Sequence, residues 1–179
     1  MALQARGKKE LIDLFIEKGI KNSQGDVSPS FNMKRVTYDP FGQVLIGELI
    51  YETIQALKLA PAGIGGLTTG ADPVAMAVAF ASGLKNDPLE AFVIRREPKE
   101  HGIKGQLEGN IQEGDSVVIV NDAAVTGDLV IQAVEIAKQL GLAILAAIVL
   151  IDLSGGKAGE RIKKHVPDVH FALLPKDFS

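Results

Sequence analysis

The stretch Val117-Val118-Ile119-Val120-Asn121-Asp122-Ala123-Ala124-Val125-Thr126-Gly127-Asp128 decides how this chain is read. Four apolar, mostly β-branched residues in a row predict a strand buried on both faces, the signature of a parallel sheet. An acidic residue follows, then a tight Thr-Gly turn, then the periodic pattern of a helix from Asp128 to Leu140. Backbone N–H groups at such a strand–turn–helix junction, together with the helix dipole, form an anion site. The plainer reading of the same residues is a βα turn whose Asp serves as a cap.

Working outward, strand-like and helix-like segments alternate along the chain, which predicts an α/β domain around a mostly parallel, twisted sheet flanked by helices. On the N-terminal side, Lys8–Lys18 reads as an amphipathic helix stopped by Gly19, and Ser28–Tyr38 as two short extended pieces. Asp39-Pro40 starts a helix that runs to about Lys58, because Asp caps and Pro fits the first turn. Ala62–Leu67 is a glycine-rich strand, Pro73 opens a helix ended by Gly83, and Leu89–Arg95 is a strand. Arg96–Gly109 carries three glycines, many charges and no apolar period, so it reads as a mobile loop. On the C-terminal side, Leu142–Ile151 is a second buried strand, Arg161–His165 a short helix and Val169–Leu174 a last strand. Three polar, glycine-containing segments fall at the carboxyl ends of strands, where such sheets bind ligands: Gly66–Pro73, Asn121–Asp128 and Asp152–Gly156.

The composition narrows the function classes. With 179 residues and 46% hydrophobic content, the chain has the size of one domain with a real core. A formal net charge of -3 argues against general nucleic-acid binding, which depends on neutralising phosphates. No cysteine is present, so disulfides, thiolate metal sites and cysteine nucleophiles are excluded. No His/Asp/Glu spacing suggests a protein-bound metal. The apolar run that includes Ala143–Ile151 falls far short of the ~20 residues of a membrane span. A cytoplasmic protein with no membrane partner is expected.

Four segments carry a family resemblance. Arg95-Arg96-Glu97-Pro98-Lys99-Glu100-His101-Gly102 resembles the catalytic loop of orotate phosphoribosyltransferases, which runs Arg-Lys-Glu-x-Lys-x-His-Gly. Gly66-Leu67-Thr68-Thr69-Gly70-Ala71-Asp72-Pro73 resembles the diphosphate-binding loop of one branch of that family. A dinucleotide fingerprint is the rival, but Thr68 stands where its third glycine belongs. The Asn121–Asp128 stretch is a degenerate form of the motif that holds phosphoribosyl diphosphate (PRPP), and Lys34, Val36 and Thr37 match the N-terminal hood.

The resemblance, which runs from about Asp26 to Leu174, implies the type I phosphoribosyltransferase fold over residues 1–179, with a small hood of about residues 1–40. It implies transfer of phosphoribose from PRPP to a nucleobase, orotate in the family, with Mg²⁺ bound alongside PRPP. Lys99 and His101 would assist departure of diphosphate, and Asp122 would hold the ribose hydroxyls. Arg95, Arg96, Thr68, Thr69 and Gly70 would bind the diphosphate; Asn121, Thr126, Gly127 and Asp128 would complete the PRPP site; Lys34 and Leu153 would face the base. A homodimer sharing the loop 96–109 across subunits is also implied.

Four departures from the family, over five positions, stand out. Asn121 replaces an acidic residue, Val125 a cradle threonine, and Asp128-Leu129 residues that are small or hydroxylated. Leu153 replaces the Arg that pairs with the orotate carboxylate, and Lys157 is the nearby substitute in sequence. These departures set out the alternative: a non-catalytic paralogue that binds PRPP, a nucleotide or another anion in a regulatory role.

Overall fold

The structure, a computed structural model, describes the backbone of residues 2–97 and 105–179, with side chains from residue 7 onward. Helices α1 (Ala2–Glu17), α2 (Lys34–Thr37), α3 (Pro40–Ala56), α4 (Asp72–Leu84), α5 (Asp128–Gln139) and α6 (Lys157–Ile162) surround one sheet. Its strands are β1 (Gly63–Leu67), β2 (Glu90–Ile94), β3 (Leu107–Gly109), β4 (Ser116–Ala124), β5 (Ala143–Asp152) and β6 (Val169–Leu173). A 3₁₀ turn, Pro175–Phe178, ends the chain.

The sheet order is β3-β2-β1-β4-β5-β6, with every pair parallel except β2–β3. The chain therefore winds outward one way from β1 and the other way from β4. The crevice between the carboxyl ends of β1 and β4 is the topological switch point, the place where open α/β sheets bind ligands.

Alternation along the central strands builds two cores. Val118 and Val120 of β4, with Ile148 and Leu150 of β5, pack under α1, α3 and α4. Val117, Ile119, Ala147 and Val149 point the other way, under α5 and α6. The glycines of β1 are needed for contact: a Cβ on Gly65 would lie 2.1 Å from the Phe92 carbonyl oxygen, and one on Gly66 2.4 Å from that of Val120.

Three expectations are corrected. Ser28–Tyr38 is not two extended pieces, because Lys34–Thr37 forms a helical turn that leads into the capped start of α3. The segment 96–109 is not all loop: Leu107–Gly109 pairs antiparallel with β2, and Gln106 donates its side-chain amide to the Arg95 and Arg96 carbonyls. The short C-terminal helix begins at Lys157 rather than Arg161, because the preceding turn is capped by Asp152.

Candidate active site

Two turns meet at the switch point. Asn121 and Asp122 lie near the end of β4, and the turn after β1 runs Thr68-Thr69-Gly70. A Cβ on Gly70 would stand 2.7 Å from Asn121 Oδ1 and 2.8 Å from Asp122 Oδ1, so glycine is what lets the two turns touch. The Thr68–Thr69 peptide bond is cis. Lys34 reaches over from α2 and donates its ammonium to Thr69 Oγ1 at 3.4 Å. The sequence expectation put Lys34 at the base; in the structure its contact is with the turn assigned to diphosphate.

Asp122 accepts the Ala123 N–H at 2.8 Å and the Asn121 side-chain amide at 3.2 Å on one oxygen, Oδ1. Burial pushes its carboxyl up to about 6, against the pull of the Ala123 N–H and the Lys34 charge. Asn121 is 2% exposed, and its amide also donates to the Ala123 carbonyl at 2.7 Å. A carboxylate at residue 121 would stand beside Asp122 as a second buried negative charge. The amide instead supplies a donor there.

Asp72, at the start of α4, is also pushed up by burial, with Thr68 and Lys34 opposing the shift. Its Oδ1 is buried without a hydrogen-bond partner. With Thr68 and Thr69 it lines a cavity of about 640 Å³ shared by Arg95, Arg96, Glu97 and Glu108. Arg95 is paired with Glu108 at 3.2 Å, and Arg96 is exposed. Lys99 and His101 lie outside the described residues.

Below the end of β4, Val125, Thr126, Gly127 and Asp128 line a cavity of about 120 Å³ at the start of α5. Gly127 has φ +85° there, a conformation that glycine adopts without strain. Thr126 first, and then Arg161 at 2.5 Å, keep the Asp128 carboxyl below the usual range. Val125 and Leu129 are exposed.

At the end of β5, Asp152 is 2% exposed and its carboxylate accepts the Ser154 N–H at 2.8 Å, the Ser154 hydroxyl at 2.5 Å and the Gly156 N–H at 2.7 Å. Asp152 therefore organises the turn into α6, a role the spacing Asp-x-Ser-x-Gly signals. Leu153 is half-buried and lines a cavity of about 350 Å³ with Asp26, Val27, Lys176 and Phe178. Lys176 is a cation in that cavity, whereas Lys157 is exposed at the first turn of α6. His165 and His170 are partly exposed, beside Glu135 and Asp168.

No family model matches the chain. Individual relatives do. The orotate phosphoribosyltransferase of Aquifex aeolicus is 35% identical over 161 residues, covering 89% of this chain and 87% of that protein. The chain belongs to the orotate phosphoribosyltransferase family. That of Rhodopseudomonas palustris (strain TIE-1) is 41% identical over 130 residues, 70% of this chain and 68% of the relative. Among solved structures, the orotate phosphoribosyltransferase of Mycobacterium tuberculosis, crystallised with PRPP, superposes with a TM-score of 0.79 at 26% identity, over 97% of this chain and 92% of that one. The type I phosphoribosyltransferase fold expected from the sequence is thus the fold observed. Family membership places the two turns at the switch point within a phosphoribosyltransferase framework. Among the described residues no helix is long and apolar enough to cross a membrane.

Proposed function

We propose that this chain transfers the 5-phosphoribosyl group of PRPP to a nucleobase and releases diphosphate. The observation that carries the proposal is the contact made through Gly70, which sets the Thr68–Gly70 turn against Asp122 at the switch point, with Lys34 above it. Relatives named for this reaction favour transfer over non-catalytic binding.

In the transfer, the ribose C1–O bond to diphosphate breaks, the C1–N bond to the base forms, and positive charge develops on the ribose. Asp122, ionised above about 6, accepts the ribose hydroxyls and places its negative charge beside that ribose. Lys34 and the Thr68–Gly70 turn hold the departing diphosphate, with Arg95 and Arg96 at the far side of the same cavity. Thr126 and Gly127 hold the 5-phosphate at the N-terminus of α5. Lys99 and His101 would close over the leaving group, and the loop 96–109 would reach a partner subunit in a homodimer.

Among the described residues no cluster of three or more His, Asp or Glu side chains forms a metal site. Asp72 with the Thr68 and Thr69 hydroxyls would supply hard oxygen donors, and the buried Asp72 Oδ1 is one that lacks a donor of its own. That set fits Mg²⁺ carried in on the phosphates of PRPP, since Mg²⁺ takes few protein ligands. When bound, the ion neutralises charge on the diphosphate.

A second reading concerns the base. Leu153 packs against the core where the resemblance implies a cation, and this favours a base without a carboxylate. Diphosphate release from PRPP and Mg²⁺ with a panel of bases tests both readings. Turnover with at least one base is expected. Turnover with orotate but with no base lacking a carboxylate would contradict the second reading, and no turnover with any base would contradict the first.

A further inference from the structure

Asp128 poses a problem for the phosphate cradle. It lines the cavity at the start of α5 together with Thr126 and Gly127, so its carboxylate stands close to where a phosphate dianion would sit. Left to itself, that carboxylate would repel the ligand and compete for the N–H groups of the turn.

Arg161 meets the same turn from α6. Its Nη2 donates to Asp128 Oδ1 at 2.5 Å and its Nη1 to the Thr126 carbonyl at 2.6 Å. The approach is fixed by packing: a Cβ on Gly127 would stand 3.1 Å from Ile162 Cγ1 and 3.3 Å from the Ala158 carbonyl oxygen, so α6 lies directly against the turn. Ala158 and Ile162 are fully buried, while Arg161 between them is half-exposed and free to project along the surface. A helix anchored by two buried residues thus delivers one guanidinium to a carboxylate and a carbonyl of the cradle.

We propose that Arg161 is a positioning residue for the 5-phosphate: by pairing with Asp128 it draws the carboxylate toward α6 and leaves the N–H groups of the turn open to the anion. This inference rests on the phosphoribosyl-transfer reading. It also gives Asp128 a place in the chain, since the charge that departs from the family pattern is matched by a cation on a neighbouring helix. The pair is exposed, so its effect belongs to the local field at the cradle more than to stability.

The test is calorimetric titration of the full chain with ribose 5-phosphate and with PRPP plus Mg²⁺, for wild type, Arg161→Gln, Arg161→Lys and the double variant Arg161→Gln/Asp128→Asn. Gln removes the charge and keeps a donor for the Thr126 carbonyl. Arg161→Gln is expected to weaken both ligands about tenfold, as an unmatched like charge at a binding site does. Arg161→Lys is expected to keep most of the affinity. The double variant is expected to return close to wild type, an effect that a merely structural role would not produce. Unchanged affinity in Arg161→Gln overturns the inference alone, and so does a double variant as weak as Arg161→Gln, which would make Arg161 a direct ligand or a fold element. Absence of binding by wild type overturns the transfer reading and the inference together.

Discussion

In the proposed transfer, Asp122 is the residue on which the chemistry turns. Its carboxyl is pushed up to about 6 by burial, so the ionised form that accepts the ribose hydroxyls is filled as the pH rises through about 6. Turnover measured against pH is expected to rise through that range, and Asp122→Asn to abolish the rise along with most of the rate. The same shift has an opposite sign for stability. A raised carboxyl binds its proton more tightly in the folded than in the unfolded chain, so folding is disfavoured by ionisation above about 6 and not below the ordinary carboxylate range. Asp122→Asn is therefore expected to raise the melting temperature by a few degrees at pH 8 and to leave it nearly unchanged at pH 3.5. A melting temperature lowered at pH 8 would contradict the burial account. Leu153→Arg tests the base: it is expected to tighten orotate binding about tenfold or more, as a charge-assisted bidentate pair does, and no gain would show that Leu153 is not what distinguishes the bases. The strand–acid–turn arrangement of Asp122, Thr126 and Gly127 was legible because the three are close together in sequence. The partners of Asp128 and Gly70 were not, since Arg161 is 33 residues from Asp128 and Asn121 is 51 residues from Gly70 along the chain.

At the scale of elements, the buried strands and the long helices were readable from pattern alone. Asp39 is the clearest case. It accepts the Phe41 and Gly42 N–H groups at 2.9 and 3.1 Å, with Pro40 at the first helical position, as Asp-Pro predicts. Lys18 of the preceding segment stands 3.0 Å from its other oxygen and, as the largest cause, helps hold the carboxyl below its usual range. Asp39→Ala is expected to cost about 1–2 kcal/mol in chemical denaturation, the size of a lost cap. Because the folded-state carboxyl is lowered, the wild-type advantage should persist at neutral pH and fade as the pH falls through the carboxylate range. Short elements escaped the pattern. Lys34–Thr37 is a single helical turn, and Leu107–Gly109 is a strand only because β2 and the two side-chain bonds from Gln106 hold it. Neither has enough length for a period to show. The C-terminal 3₁₀ turn was also missed, yet Phe178 is 2% exposed and meets Phe15 edge-on at 6.0 Å, so it closes the core beneath α1. Phe178→Ala is expected to destabilise the chain by about 3–4 kcal/mol in denaturant titration.

At the scale of the whole molecule, the sheet presents two turns and a phosphate cradle along one edge, while α3 and α4 leave Phe41, Val44, Met76, Phe80 and Leu84 exposed. Val44, Phe80 and Leu84 line one groove between the two helices, and we propose that this face holds the homodimer implied by the resemblance. Phe80→Glu is expected to shift the chain from dimer to monomer in sedimentation analysis; a wild-type monomer would contradict the shared loop. The alternation of strand-like and helix-like segments made the α/β sheet legible, whereas the exposed face became visible only when α3 and α4 were packed side by side. The turns joined through Gly70 are expected to bind PRPP despite Asn121, Val125, Asp128 and Leu129, which calorimetric titration with PRPP, with and without Mg²⁺, checks. Saturable binding that strengthens with Mg²⁺ is the expected result; no heat of binding at millimolar PRPP in either condition would contradict it.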